Sequence, residues 1–374
     1  MNFAINIPVK LVSGRGCLNS NKSLFNIGKR AYIVTGSTGA ISSGAYADVT
    51  AILDHYGITY SILSSIPANP PLFDAYHGGK EANSFNADFV IGIGGGSAMD
   101  AAKAIAAFAA NPEIEPDELF DPTNLKNGAL PIILIPTTAG TGSEANSYSV
   151  LSLPQGDKKK TYSSPYAWAK YAFLDPAYTE SMNYSSTVST ALDAFAHALE
   201  SYLSPKADVL SSLLSEYAAK NIWDVLTQMP DQFTEGHRDM LCYASCAAGA
   251  AISITGTGFP HPLGYSLTML SGIPHGRACA VFHGDYIEYN MRTPIGEERL
   301  TRLASALSTT PRLMAEFLPG LAQVDITLDD DEIVRYVDLI KTTKNYTNSP
   351  YVLKEEEMLQ IYKKHFSKKR GKKC

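Results

Sequence analysis

From its first valine to its last alanine the stretch Val90-Ile-Gly-Ile-Gly-Gly-Gly-Ser-Ala-Met-Asp-Ala-Ala-Lys-Ala-Ile-Ala106 passes through three regimes. A β-type run, Phe89 to Ile93, breaks into the glycines Gly94, Gly95 and Gly96, and an alanine-rich helix former follows. Ser97 with Asp100 three residues on has the form of an N-cap and its acidic N3 partner. A strand, glycine turn and helix aim unpaired N–H groups and the positive end of the helix dipole at one point. With no Cβ in the way, phosphate oxygens can come close to that backbone. The stretch is therefore expected to cradle a diphosphate. It is neither a G-x-G-x-x-G fingerprint nor a Walker loop.

Outward from this stretch the same alternation continues. Val9–Ser13, Ala31–Thr35, Thr59–Leu63 and Leu130–Pro136 read as strands, and Gly44–His55 and Ala75–Phe85 as helices, the second weaker. Ala68-Asn-Pro-Pro71 and Thr137-Thr-Ala-Gly-Thr-Gly-Ser-Glu144 read as loops. Strands alternating with helices predict an α/β half with a parallel sheet and ligand loops at the strands' carboxyl ends. Beyond about Asn183 the apolar residues recur at helical spacing, in Val188–Leu203, Val209–Leu226, Met240–Ile254 and Leu300–Phe317. The expected division is an α/β domain over 1–183 and an all-α domain over 184–374.

The chain of 374 residues is 45% hydrophobic, enough for two cores, and its net charge of −6 gives no reason to expect a nucleic-acid partner. The basic run from Lys363 to Lys373 reads as a solvated tail. No apolar run reaches membrane-spanning length, so no membrane partner is expected either. Cys17, Cys242, Cys246, Cys279 and Cys374 are odd in number and scattered, as reduced thiols in a cytoplasmic protein would be. Cys242 and Cys246, four apart, read as buried helix cysteines.

Asp193 and His197, at i and i+4 in an Ala/Leu-rich helix, share a face where neither would be tolerated uncompensated. They form a hydrogen-bonded pair or hold a divalent cation. His261 and His275 lie in Pro/Gly-rich breaks, Gly256–Gly264 and Ser271–Gly276, where irregular backbone can aim a side chain inward. One carboxylate and three imidazoles suit Fe²⁺ or Zn²⁺. His55, His77, His237, His283 and His365 lack such settings and read as surface or structural.

Gly94-Gly-Gly-Ser-Ala-Met-Asp-Ala-Ala-Lys103, Ile135-Pro-Thr-Thr-Ala-Gly-Thr-Gly-Ser-Glu144, Asp193-Ala-Phe-Ala-His-Ala-Leu-Glu200 and Pro274-His-Gly276 occur in the order found in one family. By these motifs the chain resembles the iron-containing (group III) alcohol dehydrogenases over nearly its whole length. The resemblance implies a dinucleotide-binding α/β domain, a helical metal domain of the dehydroquinate synthase-like architecture, and an active site between them. It implies Asp193, His197, His261 and His275 as ligands of Fe²⁺ (or Zn²⁺). It places the cofactor diphosphate on Gly95, Gly96 and Ser97, and Asp100, Thr137, Thr138, Thr141 and Ser143 along the cofactor cleft. Asn69 and Lys160 are implied as further cofactor contacts.

Two departures from the family pattern matter. NAD-preferring members often carry an Asp after the first nucleotide-fold strand, where this chain has Gly36, Ser37 and Thr38. Without that carboxylate, and with hydroxyl and N–H donors in its place, NADP(H) is expected over NAD(H). Many members also have a histidine four residues after the third ligand, where this chain has the substrate-facing Tyr265. The implied activity is interconversion of a small primary alcohol and its aldehyde by a homodimer or higher homo-oligomer. Phe259, Tyr265, Leu267 and Met269 line a substrate pocket or belong to the core. The rival reading is a lyase similar to dehydroquinate synthase, which needs a Lys/Arg cluster. Between Asp193 and Arg277 the chain offers Lys206, Lys220, Arg238 and Arg277.

Overall fold

Every residue of the Phe89–Gly94 strand is buried, as a strand with neighbours on both edges and helices on both faces must be. The computed structural model of the chain describes residues 6–154 and 158–367; the end of the basic tail and Cys374 lie outside these. The strands are β1 (Lys10–Ser13), β2 (Arg30–Gly36), β3 (Thr59–Ile66), β4 (Phe89–Gly94), β5 (Ile132–Pro136), β6 (Tyr148–Ser152), β7 (Lys159–Ser163) and β8 (Tyr171–Leu174). Six of them form a parallel sheet in the order β1-β8-β5-β4-β2-β3. The antiparallel pair β6–β7 stands apart, an element the sequence did not announce.

The helices of this half are α1 (Cys17–Ser20), α2 (Gly39–Ser42), α3 (Ala45–His55), α4 (Leu72–Ser84) and α5 (Gly96–Ala110). Alternate strand residues feed two cores. Val34, Val90, Ile132 and Leu134 pack with α4 and α5, while Ile33, Ile91, Ile133 and Ile135 pack with α3 on the opposite face. The helical reading of α4 is weakened by Gly78 and Gly79, and the structure shows their use. A Cβ at 78 would lie 2.9 Å from Ile105 Cδ1, and one at 79 would strike Phe108, so the glycines let α4 close onto α5.

The chain runs from β2 to the sheet edge at β3 and returns to β4 on the other side of β2. The reversal opens a crevice above the carboxyl ends of β2 and β4, the usual ligand position in such sheets.

From Tyr184 onward the chain is helical: α6 (Tyr184–Leu203), α7 (Val209–Gln228), α8 (Glu235–Thr255), α9 (Pro260–Ser271), α10 (His275–Ala280), α11 (His283–Asn290), α12 (Pro294–Ala306), α13 (Pro311–Ala322), α14 (Asp330–Ile340) and α15 (Glu355–Phe366). The expected helix over Leu300–Phe317 is two helices, because Pro311 disfavours helical backbone before it and starts α13 with Thr310 as cap. Among the described residues no single helix is long and apolar enough to cross a membrane.

Candidate active site

The glycine turn is built differently at its helix end from the sequence expectation. α5 begins at Gly96, and its cap is Gly95, with extended backbone and no side-chain cap bond. Ser97 is already inside the first turn, so it is not the N-cap. Asp100 does not serve as the N3 partner either. It accepts from the Ser143 hydroxyl (2.6 Å) and from the Val150 N–H (2.9 Å), tying α5 to the segment leading into β6. Lys103, fully buried, donates to the Ser143 carbonyl and hydroxyl and to the Tyr148 carbonyl, each at 2.7 Å. Burial lowers this ammonium to about 8 and raises the neighbouring Glu144 to about 7. Asp100 and Ser143 thus anchor the loop beneath the cleft.

That loop closes onto the glycines. The Thr137 N–H donates to the Gly94 carbonyl (2.9 Å). A Cβ at Gly95 would lie 3.2 Å from Thr138 Oγ1, and one at Gly96 would lie 2.5 Å from Thr141 Cγ2. A Cβ at Gly39 would lie 3.2 Å from Thr137 Oγ1, which brings the turn after β2 to the same place. Ser37 and Thr38 are exposed there, and no carboxylate occurs between Gly36 and Gly44. The cradle of glycines and hydroxyls fits a diphosphate.

Asn69 adopts left-handed backbone (φ 58°), and its carbonyl accepts from the Ser152 hydroxyl (3.1 Å). It lines a cavity of about 390 Å³ with Phe73, Leu153, Thr268 and Met269. Lys160, named from the sequence, is exposed, its ammonium 4.2 Å from the Phe120 ring centre. Lys159 is the lysine turned to the site, 5.1 Å above the Tyr265 ring. Burial lowers it to about 8 against the pull of Cys279, Asp193 and Asp100. Side chains alternate across a strand, so a one-residue shift on β7 exchanges inside for outside.

On the helical side, α6 carries Asp193 and His197 inward, both buried. His261 and His275 do not sit in irregular backbone. They occupy the first turns of α9 and α10, since proline suits a helix start. A Cβ at Gly276 would fall on the Ser189 carbonyl oxygen, so glycine lets α10 press against α6. His261 Nε2 and His275 Nε2 each lie 3.8 Å from Asp193 Oδ1. Ligand atoms of Asp193, His261, His275 and Cys279 all fall within 4.8 Å of one another. His197 is not in that set; its ring stacks on that of His261 at 4.6 Å, with Nδ1 buried and unpartnered.

The hydrogen bonds orient two of the rings. Glu200, fully buried, lies 2.8 Å from His261 Nδ1 through both oxygens and accepts from the Gly258 N–H at 2.6 Å. Nδ1–H donation to that carboxylate leaves the Nε2 lone pair facing Asp193. Thr268 donates to the Gly264 carbonyl (2.9 Å) and lies 3.4 Å from His275 Nδ1, which therefore donates and likewise frees Nε2. Asp193 Oδ1 and His261 Nε2 are buried without hydrogen-bond partners.

Burial works to raise the Asp193 carboxyl, yet His197, His275 and His261 hold it below its ordinary value. Burial lowers His197 to about 4 and holds His275 well below its usual range, while Glu200 overcomes burial to raise His261. An ionised carboxylate among imidazole lone pairs, with Asp193 Oδ1 and His261 Nε2 buried and unpartnered, fits a divalent cation.

Tyr265 stacks on His275 at 5.5 Å, and burial pushes its phenol up. Phe259 and Leu267 belong to the core, whereas Met269 faces the cavity. His283 is fully buried near Phe195, with neither ring nitrogen partnered. Arg238 is bound to the Thr187 hydroxyl and the Met182 carbonyl, and Arg277 to the carbonyls of Leu321 and Ala322. Neither is left for a phosphorylated acid, which disfavours the lyase reading.

Glu200, Cys279 and Lys159 were not singled out as site residues from the sequence. Two had local signals: Glu200 lies seven residues past Asp193 on the same helical face, and Cys279 four past His275.

The chain matches the family described as "Iron-containing alcohol dehydrogenase" over residues 8–176. It matches "Fe-containing alcohol dehydrogenase family, C-terminal" over 187–366. It is 34% identical to a sulfoacetaldehyde reductase of Bilophila wadsworthia, over 73% of this chain and 72% of that protein. It is 30% identical to a 1-propanol dehydrogenase of Citrobacter freundii, over 90% of this chain and 84% of the other. The structure of an iron-containing alcohol dehydrogenase from Thermotoga maritima superposes with a TM-score of 0.90 at 32% identity, covering 97% of this chain and 99% of that one.

Proposed function

The chain belongs to the iron-containing alcohol dehydrogenase family and is an oxidoreductase using a metal and a nicotinamide cofactor, and from that premise we propose that it interconverts a small primary alcohol and its aldehyde with NADP(H). The observation that carries the site assignment is the buried pair of orphaned atoms, Asp193 Oδ1 and His261 Nε2, facing His275. Residues 1–183 hold the cofactor and 184–374 the metal.

In this reading Asp193, His197, His261 and His275 hold the ion. When bound it supplies Lewis-acid polarisation of the alcohol or carbonyl oxygen, and the nicotinamide supplies the redox couple. Gly95, Gly96 and Ser97 receive the diphosphate on backbone N–H groups, with Thr137, Thr138 and Thr141 fixing the turn. Lys159, rather than Lys160, faces the reacting region, and Tyr265 stands where a substrate-side proton carrier is needed. Its raised phenol keeps the proton at neutral pH, so it donates a hydrogen bond rather than acting as a free base. The substrate enters by the cavity bordered by Asn69, Thr268 and Met269.

NADP(H) is supported by exposed Ser37 and Thr38 and by the missing carboxylate. The relatives point both ways: a butanol dehydrogenase of Clostridium saccharobutylicum is named NADPH-dependent, and a sulfoacetaldehyde reductase of Bifidobacterium kashiwanohense was solved with NAD+. Aldehyde-dependent oxidation of NADPH and NADH, compared as kcat/KM, tests the reading. A ratio of at least ~10 in favour of NADPH is expected, about 1.4 kcal/mol. A clear NADH preference removes it. His261→Ala should abolish metal retention and turnover together, and full activity in a demetallated protein would refute the metal's part.

A further inference from the structure

The connection between α8 and α9 runs through Gly256, Thr257 and Gly258, and a segment from the far end of the chain closes over it. The 3-10 turn Lys344–Asn348 has about three residues per turn, which sets Asn345 and Asn348 one above the other. Both amides meet Thr257. The buried Asn348 donates from Nδ2 to the Thr257 carbonyl at 3.1 Å. Asn345 Nδ2 donates to the Thr257 hydroxyl at 2.7 Å and reaches the same carbonyl at 3.4 Å. Gly256, at φ 70°, makes room for this, since a Cβ there would lie 2.8 Å from Asn348 Nδ2. Gly258 is boxed in as well: a Cβ on it would lie 2.7 Å from the Tyr286 hydroxyl and 2.8 Å from Ser349 Oγ. The Thr257 carbonyl and the Gly258 N–H belong to one planar peptide and point in opposite directions, so holding the oxygen aims the hydrogen. That N–H donates to Glu200 Oε2 at 2.6 Å, and Glu200 in turn holds His261 Nδ1 at 2.8 Å.

We infer that Asn348, assisted by Asn345, is a positioning residue for the metal ligand His261, acting through the Thr257–Gly258 peptide and Glu200. This rests on the metal-site reading above and extends the support of the site to the C-terminal segment. The Asn348 bond to the carbonyl polarises the peptide and strengthens its N–H as a donor to Glu200. That donor fixes the carboxylate beside the imidazole, which keeps the His261 Nε2 lone pair facing Asp193. Without Asn348 the peptide plane is free to turn, and a glycine on its amide side offers little resistance. Glu200 turns with it, and His261 loses its alignment. Asn348 acts on the ion only through these groups.

The test is the Zn²⁺ affinity of the demetallated full chain, measured by competition with a chelator of known affinity. Asn348→Ala should bind Zn²⁺ at least ~10-fold more weakly than wild type, the lower end of the scale for lost support of a ligand. In the Glu200→Gln background the same substitution should change the affinity less than about twofold, because the link it feeds is already cut. A residue that serves folding alone would weaken binding equally in both backgrounds. If Asn348→Ala does not fold, Asn345→Ala is read in the same cycle, with a loss of about 2- to 5-fold expected, since the Asn348 bond remains. Wild-type affinity in both asparagine variants, or equal losses with and without Glu200, overturns the positioning role and leaves the metal site standing. A wild-type chain that binds no Zn²⁺ overturns both.

Discussion

Glu200→Gln tests how the site is held together, since it removes one charge and little volume. The carboxylate accepts two N–H donors, from His261 Nδ1 and from Gly258. Glutamine offers one oxygen and one NH2, so one donor loses its acceptor. If the amide oxygen stays with Gly258, His261 faces the NH2 group and its proton moves to Nε2. That step removes the lone pair aimed at Asp193. If the oxygen stays with His261, the Gly258 N–H is stranded at a cost of about 1–3 kcal/mol. Losing the charge also weakens the imidazole as a donor. Metal affinity is expected to fall about 10- to 100-fold, or ~1.4–2.7 kcal/mol. Unfolding of the metal-free protein is the less decisive readout, because removing a buried carboxylate relieves desolvation and offsets the lost hydrogen bond. The assay is competition with a chelator of known affinity, with metal content measured alongside. A Gln variant that binds metal within about twofold of wild type, where the His261→Ala protein does not bind, would show that Glu200 does not orient the ligand.

Three further outcomes follow from the packing. Gly276→Ala puts a methyl group on the Ser189 carbonyl and should cost about 1–3 kcal/mol while pushing His275 away from Asp193. Thermal unfolding and metal content should fall together; unchanged values in both would contradict the close approach of α10 to α6. Lys159→Met should lower kcat/KM about 10-fold, whereas Lys160→Met should leave it within about twofold, and the reverse result would restore Lys160 to the site. Asp285, 2% exposed, is held by His365 Nε2 at 2.6 Å and Lys364 Nζ at 2.9 Å. Burial works to raise its carboxyl, and His365 and Lys364 bring it below the ordinary value. The stability this supplies is fully present above about pH 4, the unfolded value, and is lost as pH falls through the lower folded one. Asp285→Asn should therefore destabilise by about 1.5–3 kcal/mol at pH 7, with the gap to wild type narrowing below about pH 4 in denaturant titrations. A gap constant with pH would count against the ionic account.

Much of the architecture was legible because its signals are local. β-branched runs, a 3.6-residue apolar period and glycine-rich junctions each report on a few neighbouring residues, and the parallel sheet and helical half follow from them. Proline and glycine were harder to read. Pro260, Pro262 and Pro274 suggested irregular backbone yet stand in or just before the first turn of a helix, and Gly78 and Gly79, unfavourable inside a helix, serve packing. On β7 the resemblance pointed to Lys160, while in the structure its neighbour Lys159 is the lysine that lies over Tyr265.

By itself the sequence determined that a glycine turn opens α5, that Asp193 and His197 share a helix face, and that two more histidines stand beside prolines. Spacing along a helix establishes which side chains point the same way, but not what they meet. Glu200 reaching His261, Gly276 admitting α10 against α6, and Cys279 joining Asp193 were decided only in the tertiary structure. These contacts join residues 61 to 87 positions apart in the chain. They depend on how helices pack, and the long separations carry no periodic trace in the sequence. The same holds for the cradle, whose glycines are evident locally while the threonines that close it arrive from the end of another strand.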